Sequence, residues 1–172
     1  GTFCYSAAPK NLEYLGLPNP REWQPFDEDW KLPSGWREII LDGMRDADGR
    51  LLHRFRDGEA SIPGNLDDYA FITWALIELY ELTFDATYLE QALTITHDLI
   101  EHFWDQEQGG FFFTPDDGEE LLVRRKEVYD GAIPSGNSVA MLDLLRLSRI
   151  TGEADLEEKA SKIAAAFSRK VE

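Results

Sequence analysis

The feature that most constrains this chain is a repeat: two stretches that are apolar on nearly every side each precede an amphipathic one, and the same small landmarks recur between them. Ile62-Pro63-Gly64-Asn65 is answered by Ile133-Pro134-Ser135-Gly136-Asn137. Thr83, followed by Leu89-Glu90-Gln91-Ala92, is answered 68 positions on by Thr151, followed by Leu156-Glu157-Glu158-Lys159-Ala160. Each unit reads as a hairpin, a buried helix, a short turn and an outer helix with one wet face, with units at about 48–104 and 109–170. Buried helices stacked inside amphipathic ones form a curved array of helical hairpins, and such an array closes into a ring when enough units are present.

Periodicity and punctuation set the expected elements. Ser34 can cap a short helix through Asp46, with Trp36, Ile39, Ile40 and Met44 on its buried side. Leu51 to Arg56 alternates like a strand, and Asp57-Gly58 is a hairpin-turn signal before Glu59 to Ile62. The spacing predicts a helix over 66–82, apolar all round, and a second from the cap Asp85 to about Trp104, with Leu89, Ala92, Leu93, Thr96, Leu99, Ile100 and Phe103 in one stripe. Gly109 to Thr114 and Leu121 to Val123, across Pro115-Asp116-Asp117-Gly118, read as a second hairpin. Helices over 138–150 and about 155–170 complete the repeat. Residues 1–33 carry five prolines and no sustained period, which predicts an irregular arm whose aromatics pin it to a body formed by 34–172.

Charge and cysteine content exclude several classes. Thirty-three acidic against 17 basic residues give a net charge of -16, and no Lys/Arg block builds a phosphate-binding stripe. Nucleic acid and anionic membranes are therefore not expected partners. Cys4 is the single cysteine, so no internal disulfide, CxxC pair or cysteine-rich zinc site can form. No apolar run approaches the roughly 18 to 20 residues of a membrane span and no signal-peptide pattern is present, which gives a cytoplasmic expectation.

Several motifs, Asp48-Gly49-Arg50-Leu51-Leu52, Ile62-Pro63-Gly64, Leu66-Asp67-Asp68-Tyr69-Ala70-Phe71, Gly109 to Thr114 and Lys126 to Ala140, stand in the order found in a known family. Over about residues 36–170 the chain strongly resembles the thioredoxin-domain proteins that include spermatogenesis-associated protein 20 and many bacterial homologues. The resemblance implies a mainly α chain, part of a six-hairpin α/α toroid similar to N-acylglucosamine epimerases and several glycoside hydrolases, with short β-hairpins at the loops. A closed ring of six hairpins needs twelve helices, against about five here. The resemblance therefore implies self-association or a companion chain completing the toroid, and a thioredoxin-like domain that this sequence lacks.

In such toroids the loops leading into the inner helices ring a central cavity, which makes Asp67, Asp68 and Asp130 the candidate catalytic carboxylates. A facing pair, one protonated and one ionised, is what glycoside hydrolysis needs. Tyr69, Tyr129, Ser135, Asn137, Ser138 and His53 are the candidate ligand-binding residues, for a carbohydrate or small polar ligand. The plain alternative is that Asp67, Asp68, Ser135 and Asn137 only cap helices. Gly131 to Gly136, opening onto a helix start, could cradle an anion, but has no P-loop lysine and is read first as a structural turn. His97 and His102, spaced from Glu101 and Asp98 along one helix, are read as a solvated salt-bridging face, so no metal and no cofactor is expected. The sequence leaves two functions open: glycosidase- or epimerase-like ligand binding, and a non-catalytic scaffold or protein-interaction module.

Overall fold

The computed structural model describes residues 44–56, 59–118 and 123–168. The expected Pro-rich arm and residues 34–43 of the expected first helix lie outside these. That helix does not reach Asp46: Met44 sits in a turn and Arg45 forms an antiparallel bridge with Leu51. The competing structure is a tight turn at Asp46 to Arg50, where Asp46 Oδ1 accepts the N–H groups of Asp48 and Arg50 at 3.0 and 2.9 Å. Gly49 supplies the left-handed residue, at φ 86°.

The chain then forms strands β1 (Leu52–Arg56) and β2 (Glu59–Pro63), paired antiparallel from Arg56 opposite Glu59 to Leu52 opposite Pro63. The expected hairpin is present, and its turn residues lie outside the described set. Four helices follow: α1 (Leu66–Thr83), α2 (Ala86–Phe103), α3 (Gly136–Thr151) and α4 (Ala154–Phe167). They form two helical hairpins, α1 with α2 and α3 with α4, joined where α1 packs against α3. α1 and α3 run parallel, since Asp67 meets Gly136 at their starts while Arg146 reaches Glu78 and Glu81 further along.

The repeat extends to single hydrogen bonds at the turns within the two hairpins. Thr83 donates its hydroxyl to Leu79 C=O at 2.6 Å and accepts the Asp85 N–H at 3.2 Å. Thr151 likewise donates to Leu147 C=O at 2.9 Å and accepts the Glu153 N–H at 3.2 Å. The residue between turns left-handed in both, Phe84 at φ 54° and Gly152 at φ 83°. Its N–H returns to the carbonyl four residues back, which closes the helix end. Asp85 caps α2 as expected, accepting the Thr87 N–H at 3.0 Å.

The core gathers Leu66, Tyr69, Leu76 and Ile77 of α1, Ile95, Leu99 and Phe103 of α2, Leu144 and Leu147 of α3, and Leu156, Ile163 and Phe167 of α4. One expectation needs correction. α1 and α3 are not buried all round, for Ala75, Leu82 and Leu142 are exposed, because among the described residues one further helix hairpin packs on each. Of the expected second β-hairpin, Leu121 and Leu122 lie outside the described residues, and Gly109 to Thr114 holds a single bridge rather than a strand. Trp104 bridges Phe111, and Phe113 N–H donates to Arg125 C=O at 2.7 Å, but Gly109 and Gly110 both turn left-handed and bend the chain away from an extended ladder. There is no room for a side chain on Gly110, whose Cβ would meet the Phe167 ring at 2.9 Å.

Candidate functional site

The loops ahead of α1 and α3 do converge, at the start of α3. Gly136, the first residue of that helix, lies so close to α1 that a Cβ would meet Asp67 Oδ1 and come within 2.6 Å of Leu66 Cγ. Its N–H donates to the Asp67 carboxylate. Burial raises the Asp67 carboxyl above the usual range, and the neighbouring charges of Asp68 and Glu127 push it further, against the pull of the Gly136 N–H.

Asp130 meets the same helix start through Ser135 and Ser138. It accepts the Ser135 N–H at 2.8 Å and the Ser138 hydroxyl at 3.0 Å. Those two bonds hold it below the usual carboxylate range, the Ser135 N–H contributing most. Ser135 is the cap residue of α3, accepting the Ser138 N–H at 3.3 Å and donating to Ser138 Oγ at 3.1 Å. Two carboxyl groups displaced in opposite directions thus touch successive backbone N–H groups. The anion-cradle reading of Gly131 to Gly136 is accordingly met by the chain's own carboxylates.

Asp68 and His53 form the next layer out. Asp68 accepts the Asn65 N–H at 2.8 Å, so it closes the start of α1, and His53 Nδ1 lies 3.0 Å from both its oxygens. His53 comes from the exposed side of β1, which places the hairpin beside the loops. Tyr129, 86% exposed, stands in the loop beside Asp130 with its ring open to solvent.

Two of the expected ligand contacts are structural. Tyr69 is buried, its ring 5.0 Å from that of Phe103 and its hydroxyl accepting Arg50 Nε–H at 3.1 Å and Leu51 N–H at 3.2 Å. Burial pushes that hydroxyl up to about 12 despite the Arg50 hydrogen bond. Asn137 has no exposed surface: its Oδ1 accepts the Phe111 N–H at 2.8 Å, and its Nδ2 donates to Phe111 C=O at 3.0 Å and Glu127 C=O at 2.9 Å. It staples two stretches of the connection ahead of α3, at Phe111 and Glu127, to the helix start. Side-chain amides of this kind carry a donor pair and an acceptor, enough to serve a backbone pair and one more carbonyl.

A second charged group, which the sequence reading did not assemble, lies at the far end of α2. His102 Nδ1 is 3.0 Å from Asp116 Oδ1 and 3.5 Å from Asp117 Oδ2, and its Nε2 is 3.6 Å from Asp98 Oδ1. His102 is therefore half-buried among carboxylates rather than on a wet face. His102, Asp116 and Asp117 could between them offer three atoms to a metal ion. Arg50, however, already bonds Asp117 through Nη1 and sits 3.2 Å from Asp98 through Nε, so its positive charge fills the place of a cation. The hydrogen bond from Asp116 N–H to His102 C=O shows why the sequence concealed this: the turn is folded back onto the helix end. His97 faces solvent and pairs with Glu153 at 3.6 Å.

Fold and site together define a protein of paired helical hairpins in which α1 and α3 share one carboxylate-rich start. The chain is homologous to spermatogenesis-associated protein 20. It is 39% identical to that protein of Rattus norvegicus over 109 residues, 63% of this chain and 14% of the relative. It is 38% identical to the Homo sapiens protein over 134 residues, 73% of this chain and 17% of the relative. An uncharacterized protein of Caenorhabditis elegans is 34% identical over 105 residues, 61% of this chain and 14% of that one. The chain thus spans 14% to 17% of the length of these relatives. No protein-family profile matches it. No helix among the described residues is long and apolar enough to cross a membrane.

Proposed function

We propose that the shared start of α1 and α3 is a binding face for a carbohydrate or a comparably small polar ligand, within a toroid of which this chain contributes two hairpins. The observation that carries the reading is the opposed pair Asp67 and Asp130, one carboxyl raised by burial and like charge, the other lowered by hydrogen bonds, meeting at the Ser135 and Gly136 N–H groups. Two carboxyls shifted in opposite directions follow the pattern by which acid and base are set apart in glycoside hydrolysis and in sugar proton transfer. In this reading Asp67 is the acid and Asp130 the base, Asp68 with His53 and Ser138 supply polar contacts, and Tyr129 offers a ring face to a sugar.

The scaffold reading has its own support. Asp68, Asp130, Ser135 and Asn137 all serve backbone groups, as they would if the loops existed only to start helices and to present a thioredoxin-like domain. A thermal-shift and calorimetric screen with mono- and oligosaccharides separates the two, applied to this chain and to a full-length relative. The ligand face requires a stabilising sugar whose effect is lost in Asp67→Asn and in Asp130→Asn. Absence of any sugar response in the full-length relative would leave the scaffold standing.

A further inference from the structure

Asp143 is the buried charged group that the helix-start face does not use. It lies in the middle of α3, 2% exposed, and neither of its oxygens has a hydrogen-bond partner among the described residues. Three positions on, Arg146 crosses to α1, placing Nη1 2.7 Å from Glu78 Oε1 and Nη2 2.9 Å from Glu81 Oε1. Three-residue spacing puts Asp143 and Arg146 on one face of their helix, within each other's reach. Burial first, and Glu78 second, lift the Asp143 carboxyl to about 8, while Arg146 opposes them.

Among the described residues, the surrounding charges leave one group able to answer ionisation. Arg146 is the cation that acts on Asp143, and Glu78 of α1 is the anion. On α4, the other helix against α3, Lys159 pairs with Asp155, Lys162 with Glu158, and Glu157 with Arg149. The two glutamates that hold Arg146 are themselves more than half exposed, so their pairing in water is weak. An ionised carboxylate inside the helix packing has no such solvent and draws a guanidinium more strongly.

We propose that Arg146 is a two-position clasp: it ties α3 to α1 through Glu78 and Glu81 while Asp143 is protonated, and turns back to Asp143 when that group ionises, freeing α1. The seam between the two hairpins is then a hinge that loosens as pH rises, without any change in the helices themselves.

Hydrogen exchange, corrected for the intrinsic pH dependence and followed by mass spectrometry between pH 6.5 and 9.5, tests the clasp. In the wild-type chain, protection along α1 and α3 should fall roughly three- to tenfold more than in α2 and α4. Asp143→Asn should keep its protection throughout. Arg146→Gln should show the loosened α1 and α3 already at pH 6.5, with no further change. The proposal is overturned if the wild-type loss spreads evenly over four helices, if there is no loss, or if Asp143→Asn responds as the wild type does.

Discussion

Asn137 offers the sharpest test of how this fold is held, because one fully buried side chain closes three backbone groups. Replacing it by alanine removes three neutral hydrogen bonds, each worth about 1 kcal/mol, and leaves the buried Phe111 N–H without an acceptor. Part of the loss is recovered as the loop relaxes toward solvent on the Glu127 side, which is exposed. The expected cost is on the order of 3 to 4 kcal/mol, or about 10 °C in Tm for a domain of this size. Urea unfolding followed by far-ultraviolet circular dichroism and tryptophan fluorescence measures it, with Ser138→Ala as a neighbouring control expected to lose about 1 kcal/mol. Asn137→Asp sharpens the result. The aspartate keeps the acceptor for Phe111 N–H but turns a carboxylate oxygen toward two carbonyls, so it should be at least as damaging as alanine at pH 7 and partly recover in acid, when protonation restores a donor. A cost for Asn137→Ala below about 1 kcal/mol would refute the claim that this amide staples the loops.

Two further outcomes follow from the same geometry. The folded Asp143 carboxyl titrates near 8 against 3.8 for an unperturbed one, so the unfolded chain gives up its proton first. Its contribution to stability should decline by about 1.4 kcal/mol per pH unit from about pH 4 to about pH 8 and then level off, and Asp143→Asn should be the more stable at pH 7 by something on the order of 4 kcal/mol. Chemical denaturation at a series of pH values compares the two slopes, and parallel curves would contradict the assignment. Gly136→Ala should destabilise by about 1 to 3 kcal/mol although alanine favours helices, because its Cβ collides with Leu66 and Asp67 where α1 and α3 touch. A thermal melt showing no loss would mean that the two helix starts can move apart freely.

Much of the frame was legible because it is written locally. The four helices follow from apolar periodicity and from caps such as Asp85, and their observed limits lie within a few residues of those expected. Even the Thr83 and Thr151 turns could be matched from sequence, since both helix ends satisfy themselves within six residues. The relations between distant segments were not legible. Nothing in Asp48-Gly49-Arg50 states that Arg50 will reach Tyr69, Asp98 and Asp117, and nothing near His102 names Asp116 as its companion. Asp143 was hidden for the opposite reason: its apolar neighbours mark the helix as buried, and only the packing shows that the carboxyl is buried with them. At the helix starts, sequence could propose Tyr69 and Asn137 as ligand contacts because their types suit that role. Only burial shows that their polar atoms are already spent.

The matched threonine turns have a consequence for how such a chain can change length. Each turn closes its backbone N–H and C=O groups through a threonine of its own hairpin. A hairpin is thus a self-contained cassette at its closed end, and duplication or loss of one leaves the chemistry of the next turn intact. What a new cassette must match lies at the open end and along the seam: a close-fitting glycine, a carboxylate to meet its N–H, and an arginine opposite glutamates. Growth of the array is constrained at the face where its helices begin and unconstrained where they turn.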